Sequence, residues 1–321
     1  MSERLVIVGN GMAPGRMLEH LFEAAPGRFE VTIFNAEPRV NYNRLMLSPV
    51  LSGEKTYEEI ITHGDDWYAD NGVTLHKSAP VTLIDREAKR VISTNGIVAE
   101  YDHLVIATGS SPFIPPVPGH ELDGVVTYRD LDDVDKMLAA GANCKVVVIG
   151  GGLLGLEAAA GLKMRGMDVT VLHLGPTLME RQLDPAAGYL LENAFTERGI
   201  KVITKANTKQ VLGTDRVEGV ELSDGTVIDC AMVVMAVGIR PATGLAKAAG
   251  LAVNRGIVVD DQMRTMDPAV FALGECAEHR GTCYGLVAPL YEMGQVLADT
   301  LVGKPAQYQG SVTSTKLKVT G

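Results

Sequence analysis

Two glycine clusters carry the chemistry of this sequence. Gly9-Asn10-Gly11-Met12-Ala13-Pro14-Gly15 follows the strand-like run Leu5-Val6-Ile7-Val8, and Gly150-Gly151-Gly152-Leu153-Leu154-Gly155 follows Val146-Val147-Val148-Ile149. Each cluster opens a segment of helical periodicity. Glycines at these points allow a tight turn and let main-chain N–H groups at a helix N-terminus approach a pyrophosphate closely. The pair therefore predicts two dinucleotides on one chain, which suggests electron transfer between them. The first cluster departs from the usual spacing, because Pro14 stands where a third glycine would permit close helix–strand packing and Gly15 follows it. Proline's fixed φ suits a first helical turn, and its missing N–H is not needed there.

Composition narrows the function classes. The 321 residues are enough for about two domains, and a 46% hydrophobic content supplies buried cores. Net charge is -10 with scattered basic residues, so nucleic acid and anionic membrane surfaces are not expected partners. The apolar runs Val146 to Gly152 and Cys230 to Ile239 fall far short of the roughly 20 residues of a spanning helix. A soluble cytoplasmic protein is expected. Cys144, Cys230, Cys276 and Cys283 form no CxxC pair, and the seven histidines are dispersed, so neither a dithiol centre nor a metal site is expected. Buried or incidental thiols are the favoured reading of the cysteines, against a regulatory pair of Cys276 with Cys283.

The elements that must position the cradles read as two βαβ units. The first runs from the N-terminal strand through a helix over Arg16 to Ala25 and a strand over Glu30 to Phe34, and closes on His103 to Gly109. Prolines 112, 115, 116 and 118 mark a stiff connector. The second unit follows over Lys145 to Leu172, with a helix near Pro185 to Arg198, and ends at Gly238-Ile239-Arg240-Pro241. A strand at Val270 to Leu273 and a helix from Pro289 to Leu301 then return to complete the first. The expected class is α/β with two Rossmann-like dinucleotide-binding domains, one inserted into the other.

At this level the chain resembles the two-dinucleotide-binding flavoprotein family of pyridine nucleotide-dependent reductases. Within that family it is most similar to the N-terminal flavin module of the NAD(P)H-dependent nitrite reductase large subunit. The resemblance rests on Glu37-Pro38-Arg39 with Tyr42, Asn43 and Arg44, on Ala107-Thr108-Gly109-Ser110, Gly150 to Glu157 and Gly238-Ile239-Arg240-Pro241, and on Gly274-Glu275-Cys276 and Gly285 to Pro289. It implies an FAD-binding domain over 1–113 and 247–305, an NAD(P)-binding domain over 114–246, and the start of a truncated interface domain over 306–321. In whole nitrite reductases an iron-sulfur segment and a sirohaem domain would follow. This chain has no cysteine cluster for either, so nitrite reduction itself would need residues beyond these.

The resemblance assigns FAD to the first cradle, through Gly9, Gly11, Pro14 and Gly15. Glu37 is the candidate acid for the adenosine ribose, with Asn35 nearer the strand end. Arg44 and Arg129 are expected at the flavin or its pyrophosphate, where guanidinium groups bind anions with paired hydrogen bonds; surface ion pairs are the alternative. Thr108, Gly109, Gly238 and Gly274 belong to the matching turns, Glu275 would accept from ribityl hydroxyls, and Val287 would approach the isoalloxazine through its backbone. NADH or NADPH is assigned to Gly150, Gly152, Leu153, Leu154 and Gly155. After Val169-Thr170-Val171-Leu172 the ribose carboxylate is replaced by His173, which removes repulsion of a 2′-phosphate without demanding one. Cofactor preference stays open, with Arg181 as a further phosphate partner or a surface residue. Glu157 is assigned the catalytic role of orienting the nicotinamide carboxamide, against a reading as a helix N-terminal carboxylate favoured by the dipole.

The implied activity is hydride transfer from NAD(P)H to FAD and onward delivery to a redox centre outside the chain, either iron-sulfur and sirohaem domains or a small electron carrier. A rubredoxin- or ferredoxin-type reductase and a nucleotide sensor without turnover remain as alternatives. An NADH oxidase would place a reactive cysteine near Arg44, where this chain has Leu45, Met46, Leu47 and Ser48. The oligomeric state is left open.

Overall fold

A computed structural model describes residues 2–319, which cluster into two compact units. The first comprises residues 2–43, 61–111 and 240–314, and the second 44–60, 112–239 and 315–319.

The first unit is built on a parallel five-stranded sheet. Its order is Val270–Ala272, His103–Ile106, Glu3–Val8, Phe29–Phe34, Thr74–His76. A parallel sheet covered on both faces needs strands apolar on both sides, and Leu5, Val6 and Ile7 in succession are buried. The helix Met12–Ala24 leaves the first strand, buries Met17, Leu18 and Leu21, and packs on the helix Val287–Leu301. Gly294 permits that approach, since a Cβ there would lie 3.4 Å from the carbonyl oxygen of Ala13. An antiparallel sheet of Val81–Asp85, Arg90–Ser93 and Val98–Glu100 is appended.

The second unit repeats the plan. Its parallel sheet runs Val125–Thr127, Met232–Met235, Lys145–Ile149, Asp168–Leu172, Lys201–Ile203. Val147, Ile149, Leu172, Val233 and Met235 share one core with Val211, Val220 and Leu222 of an antiparallel sheet made by Thr208–Leu212, Gly219–Leu222 and Val227–Asp229. The expected α/β class with two Rossmann-like sheets is thus observed.

Local boundaries differ in instructive ways. The first helix begins at Met12 rather than Arg16, because Gly11 is its N-cap and Pro14 falls inside the first turn, where no N–H is required. Residues 44–60 lie inside the stretch expected for the first domain but cluster with the second unit. Their helix, Leu47–Ser52, packs on Leu153–Met164. Leu51 fills the space a Cβ at Gly161 would take, at 3.0 Å, and Arg165 donates to the carbonyls of Leu51 and Val50 at 2.6 and 3.1 Å. Nothing in the sequence near 44–60 announces those distant partners. No helix among the described residues is long and apolar enough to cross a membrane.

Candidate nucleotide-binding sites

The two cradles share one geometry. Gly9 and Gly150 have φ of +111° and +127°, a region closed to most side chains. A Cβ on either would lie 2.2 Å from a carbonyl oxygen, that of Ala107 and of Ala236 respectively. Each glycine N–H is spent on the neighbouring strand, Gly9 on the Phe34 carbonyl and Gly150 on that of Leu172, both at 2.8 Å. Two residues on, Gly11 and Gly152 are extended helix N-caps with nothing within 4 Å of a Cβ. One glycine in each loop is therefore pressed against the sheet and the next faces open space at a helix N-terminus, which is where a pyrophosphate needs to approach main-chain amides.

In the first cradle Asn41 Nδ2 donates to the carbonyls of Asn10 and Gly11 at 2.9 and 2.7 Å, which satisfies the loop's acceptors. Asn10 is buried, and its Oδ1 accepts from Tyr68 at 2.9 Å. Its Nδ2 has no hydrogen-bond partner among the described residues, so a donor remains inside the loop, as a phosphate or ribose oxygen would require. The displaced Gly15 packs not on a strand but on side chains, with Asn41 and His63 atoms 3.1 Å from a Cβ position. Asn35, nearest the strand end, is buried and spends its amide on the Arg39 carbonyl at 2.8 Å, which leaves half-buried Glu37 as the acid of this loop. Glu37 accepts from Tyr42 Oη at 2.8 Å. Gly274 has φ of +87°, and a Cβ on it would lie 3.2 Å from Ala13 Cβ at the start of the cradle helix. Glu275 in that turn accepts from Ser110 Oγ at 2.8 Å, and Thr108 Oγ1 donates to the Ala242 carbonyl at 2.7 Å while Gly109 accepts the Ala242 N–H at 2.9 Å. Val287 is the half-buried first residue of its helix.

The second cradle carries the third glycine in its usual role. A Cβ on Gly155 would sit 1.9 Å from the Gly150 carbonyl oxygen, so helix and turn touch here. Leu153 is half-buried and Leu154 exposed on the first turn, while Gly238, with φ of +115°, accepts from the Phe113 N–H at 2.8 Å. His173 stands directly after the strand Asp168–Leu172, but its ring turns to the glycine loop. Nδ1 accepts the Gly151 N–H at 3.1 Å, and Nε2 meets Glu180 at 2.7 Å. Both ring nitrogens are engaged, so the ribose contact considered for position 173 is not offered by this ring. Arg181 is exposed.

Glu157, on the cradle helix, is buried and held at both oxygens. Ser48 Oγ donates to Oε2 at 2.5 Å and the Lys318 N–H to Oε1 at 2.9 Å. Tyr128 Oη donates to Ser48 Oγ at 2.9 Å. Burial pushes the Tyr128 hydroxyl's ionisation well up, with the Glu157 charge adding to the effect, so it serves as a neutral donor. Lys318 Nζ donates to the Leu45 carbonyl at 2.9 Å, and its partial burial lowers the ammonium's pKa against a smaller opposing pull from Glu157. Arg44 donates to the Arg129 carbonyl at 3.1 Å, so the two arginines meet within the second unit. Ser48, Tyr128 and Lys318 were not singled out from sequence. Asn10 could have been, as the one polar side chain between two cradle glycines.

Burial pushes up all four thiols, Cys230 to about 12, which removes thiolate character at neutral pH. Among the described residues no group of three or more His, Cys, Asp or Glu could hold a metal ion.

A nitrite reductase [NAD(P)H] of Bacillus subtilis (strain 168) is 51% identical over 99% of this chain and 40% of its own length. The assimilatory nitrate reductase electron transfer subunit of the same organism is 43% identical over 99% of this chain and 42% of its own length. The chain thus spans about two fifths of the length of these relatives. Among solved structures, a covalent putidaredoxin reductase–putidaredoxin complex superposes with a TM-score of 0.89 at 29% identity, over 96% of this chain and 77% of that one. The profile described as pyridine nucleotide-disulphide oxidoreductase matches residues 3–309, and the chain belongs to that family.

Proposed function

We propose that this chain is the flavin-bearing, pyridine nucleotide-oxidising part of a longer assimilatory nitrite reductase. FAD would lie in the first cradle and NAD(P)H in the second, with electrons passing to iron-sulfur and sirohaem centres outside these residues. The observation that carries the reading is the duplicated loop, in which Gly9 and Gly150 are closed against the sheet while Gly11 and Gly152 open onto helix N-termini. The two relatives at 51% and 43% identity support the assimilatory assignment. A soluble cytoplasmic setting and a division into an FAD domain with an inserted NAD(P) domain belong to the same reading.

When bound, the two cofactors supply the hydride exchange, and the protein supplies alignment and a dry environment. Each residue then has a defined task. Gly11, Pro14 and Gly15 begin the helix whose N-terminus faces one pyrophosphate, and Gly152, Leu153 and Leu154 do the same for the other. Glu37 would accept from the adenosine ribose, Glu275 from ribityl hydroxyls, and the Val287 backbone would meet the flavin ring. Glu157, its carboxylate fixed by Ser48, orients the nicotinamide carboxamide. The putidaredoxin reductase likeness favours a second reading, delivery to a small separate electron carrier.

Purified protein should be yellow, release FAD rather than FMN, and bleach anaerobically with NADH or NADPH. Colourless protein that takes up no added FAD would overturn the first assignment. Flavin that neither nucleotide bleaches would favour a sensing role instead.

A further inference from the structure

The loop after the strand Asp168–Leu172 holds a carboxylate beside the second cradle that the strand end itself lacks. The Gly151 N–H donates to His173 Nδ1, so that nitrogen carries no proton and the ring hydrogen sits on Nε2. Nε2 then donates to Glu180 Oε2 at 2.7 Å. The imidazole is a spacer, fixed at one end by the glycine loop and holding an acid at the other.

The surrounding loop is shaped for this pair. A Cβ on Gly175 would come 2.7 Å from His173 Nε2 and 3.1 Å from Glu180 Oε1, so a larger residue would force them apart. A Cβ on Gly151 would strike the His173 ring at 2.7 Å. The Met179 N–H returns to the Gly151 carbonyl at 3.0 Å, which ties the residue before Glu180 to the cradle. Partial burial would raise the Glu180 pKa, but its own N–H and the His173 hydrogen bond outweigh that and hold it below the usual carboxylate range. The side chain is 44% exposed, so this charge is open to solvent. Leu174, next to the pair, is 70% exposed and offers an apolar surface of the kind an adenine ring covers.

In dinucleotide folds the acid about 20 residues beyond the glycine loop contacts the ribose 2′-hydroxyl, and a 2′-phosphate is refused where that acid is present. We infer that Glu180, positioned by His173, is the residue that selects NADH over NADPH in this chain. The inference rests on the second cradle binding a pyridine nucleotide. It makes His173 a positioning residue and Glu180 the specificity determinant, and it gives the exposed neighbour Arg181 no phosphate-binding role.

The test uses the flavin-loaded protein and its Glu180→Gln variant, in which the amide oxygen still accepts from His173. Calorimetry measures binding of adenosine 5′-monophosphate and adenosine 2′,5′-bisphosphate, which differ only in the discriminating phosphate. The parent should favour the monophosphate by about tenfold or more, and the variant should reduce that ratio by about tenfold through tighter bisphosphate binding. Flavin reduction by NADH and NADPH should shift in parallel. A ratio unchanged by the substitution, in protein whose flavin NADH still reduces, would overturn the Glu180 assignment alone. Equal binding of both ligands by the parent would do the same and point to Arg181. A parent that binds neither ligand and is not reduced by NADH would overturn the reading of the cradle and this inference with it.

Discussion

The Glu157 carboxylate accepts the main-chain N–H of Lys318 at 2.9 Å, although 161 residues separate the two. Ser48 takes the other oxygen. The residue assigned to the nicotinamide therefore already accepts one hydrogen bond at each oxygen, and a nucleotide must either share it or displace the Lys318 segment.

That competition can be measured at one amide. Hydrogen exchange at the Lys318 N–H should speed up when NADH is added, because the carboxylate turns from the segment to the carboxamide. Lys318→Pro, which removes the donor, should raise affinity for NADH relative to Lys318→Ala, which removes only the ammonium on the Leu45 carbonyl. Equal affinities in the two variants would show that Glu157 keeps its partner when nucleotide binds.

Ser48→Ala removes the donor to Glu157 and the acceptor for Tyr128 in one step. Leaving buried polar groups unpaired costs about 1–3 kcal/mol, so the melting temperature should fall measurably. Ser48→Thr, which keeps the hydroxyl, should recover most of it.

Gly152 and the inner Gly155 should respond differently to substitution. Gly152→Asp meets no steric obstacle but places a charge where a pyrophosphate approaches, so NAD(P)H affinity should fall by about tenfold or more while flavin content and melting temperature hold. Gly155→Ala sets a methyl group 1.9 Å from the Gly150 carbonyl oxygen and should cost about 1–3 kcal/mol of stability by overpacking. Loss of flavin with Gly152→Asp would mean that the cradles do not act separately.

Acid stability should depend on Asp102. Hydrogen bonds from the Arg4 side chain, joined by the Arg4 N–H at 2.8 Å, hold its carboxyl down at about 2. A carboxyl whose folded pKa is depressed stabilises above its ordinary value of 3.8, and that contribution is lost as pH falls through about 2. Asp102→Asn should therefore lower stability at neutral pH and flatten the unfolding curve across that window, as followed by circular dichroism.

The parallel strands and both glycine loops were legible because local rules dictate them. A run such as Val146 to Ile149, followed by three glycines, has few other structural solutions. The antiparallel strands Val98–Glu100 and Val227–Asp229 are three residues long and largely exposed, too short for an alternation to mark them. Residues that meet across the chain were not legible. Ser48 reaches Glu157 over 109 positions and Tyr128 reaches Ser48 over 80, and neither separation leaves a trace in local spacing. His173 was visible as a departure at a strand end. Its commitment to Gly151 and Glu180 depends on how the next loop folds back, and Gly175 alone hinted at that.

The connectivity of the first unit sets an order of assembly. Its sheet is closed at one edge by Val270–Ala272, paired to His103–Ile106, and its cradle helix is backed by Val287–Leu301. During synthesis from the N-terminus, the long central stretch 112–239 emerges whole before either of those pieces exists. The strands Glu3–Val8 and His103–Ile106 must therefore wait on the ribosome with an apolar edge and an unbacked helix while the second sheet has all its strands. Chaperone demand should accordingly fall late, and ligand loading at the first glycine loop should follow the emergence of residues 270–301 rather than of the loop itself.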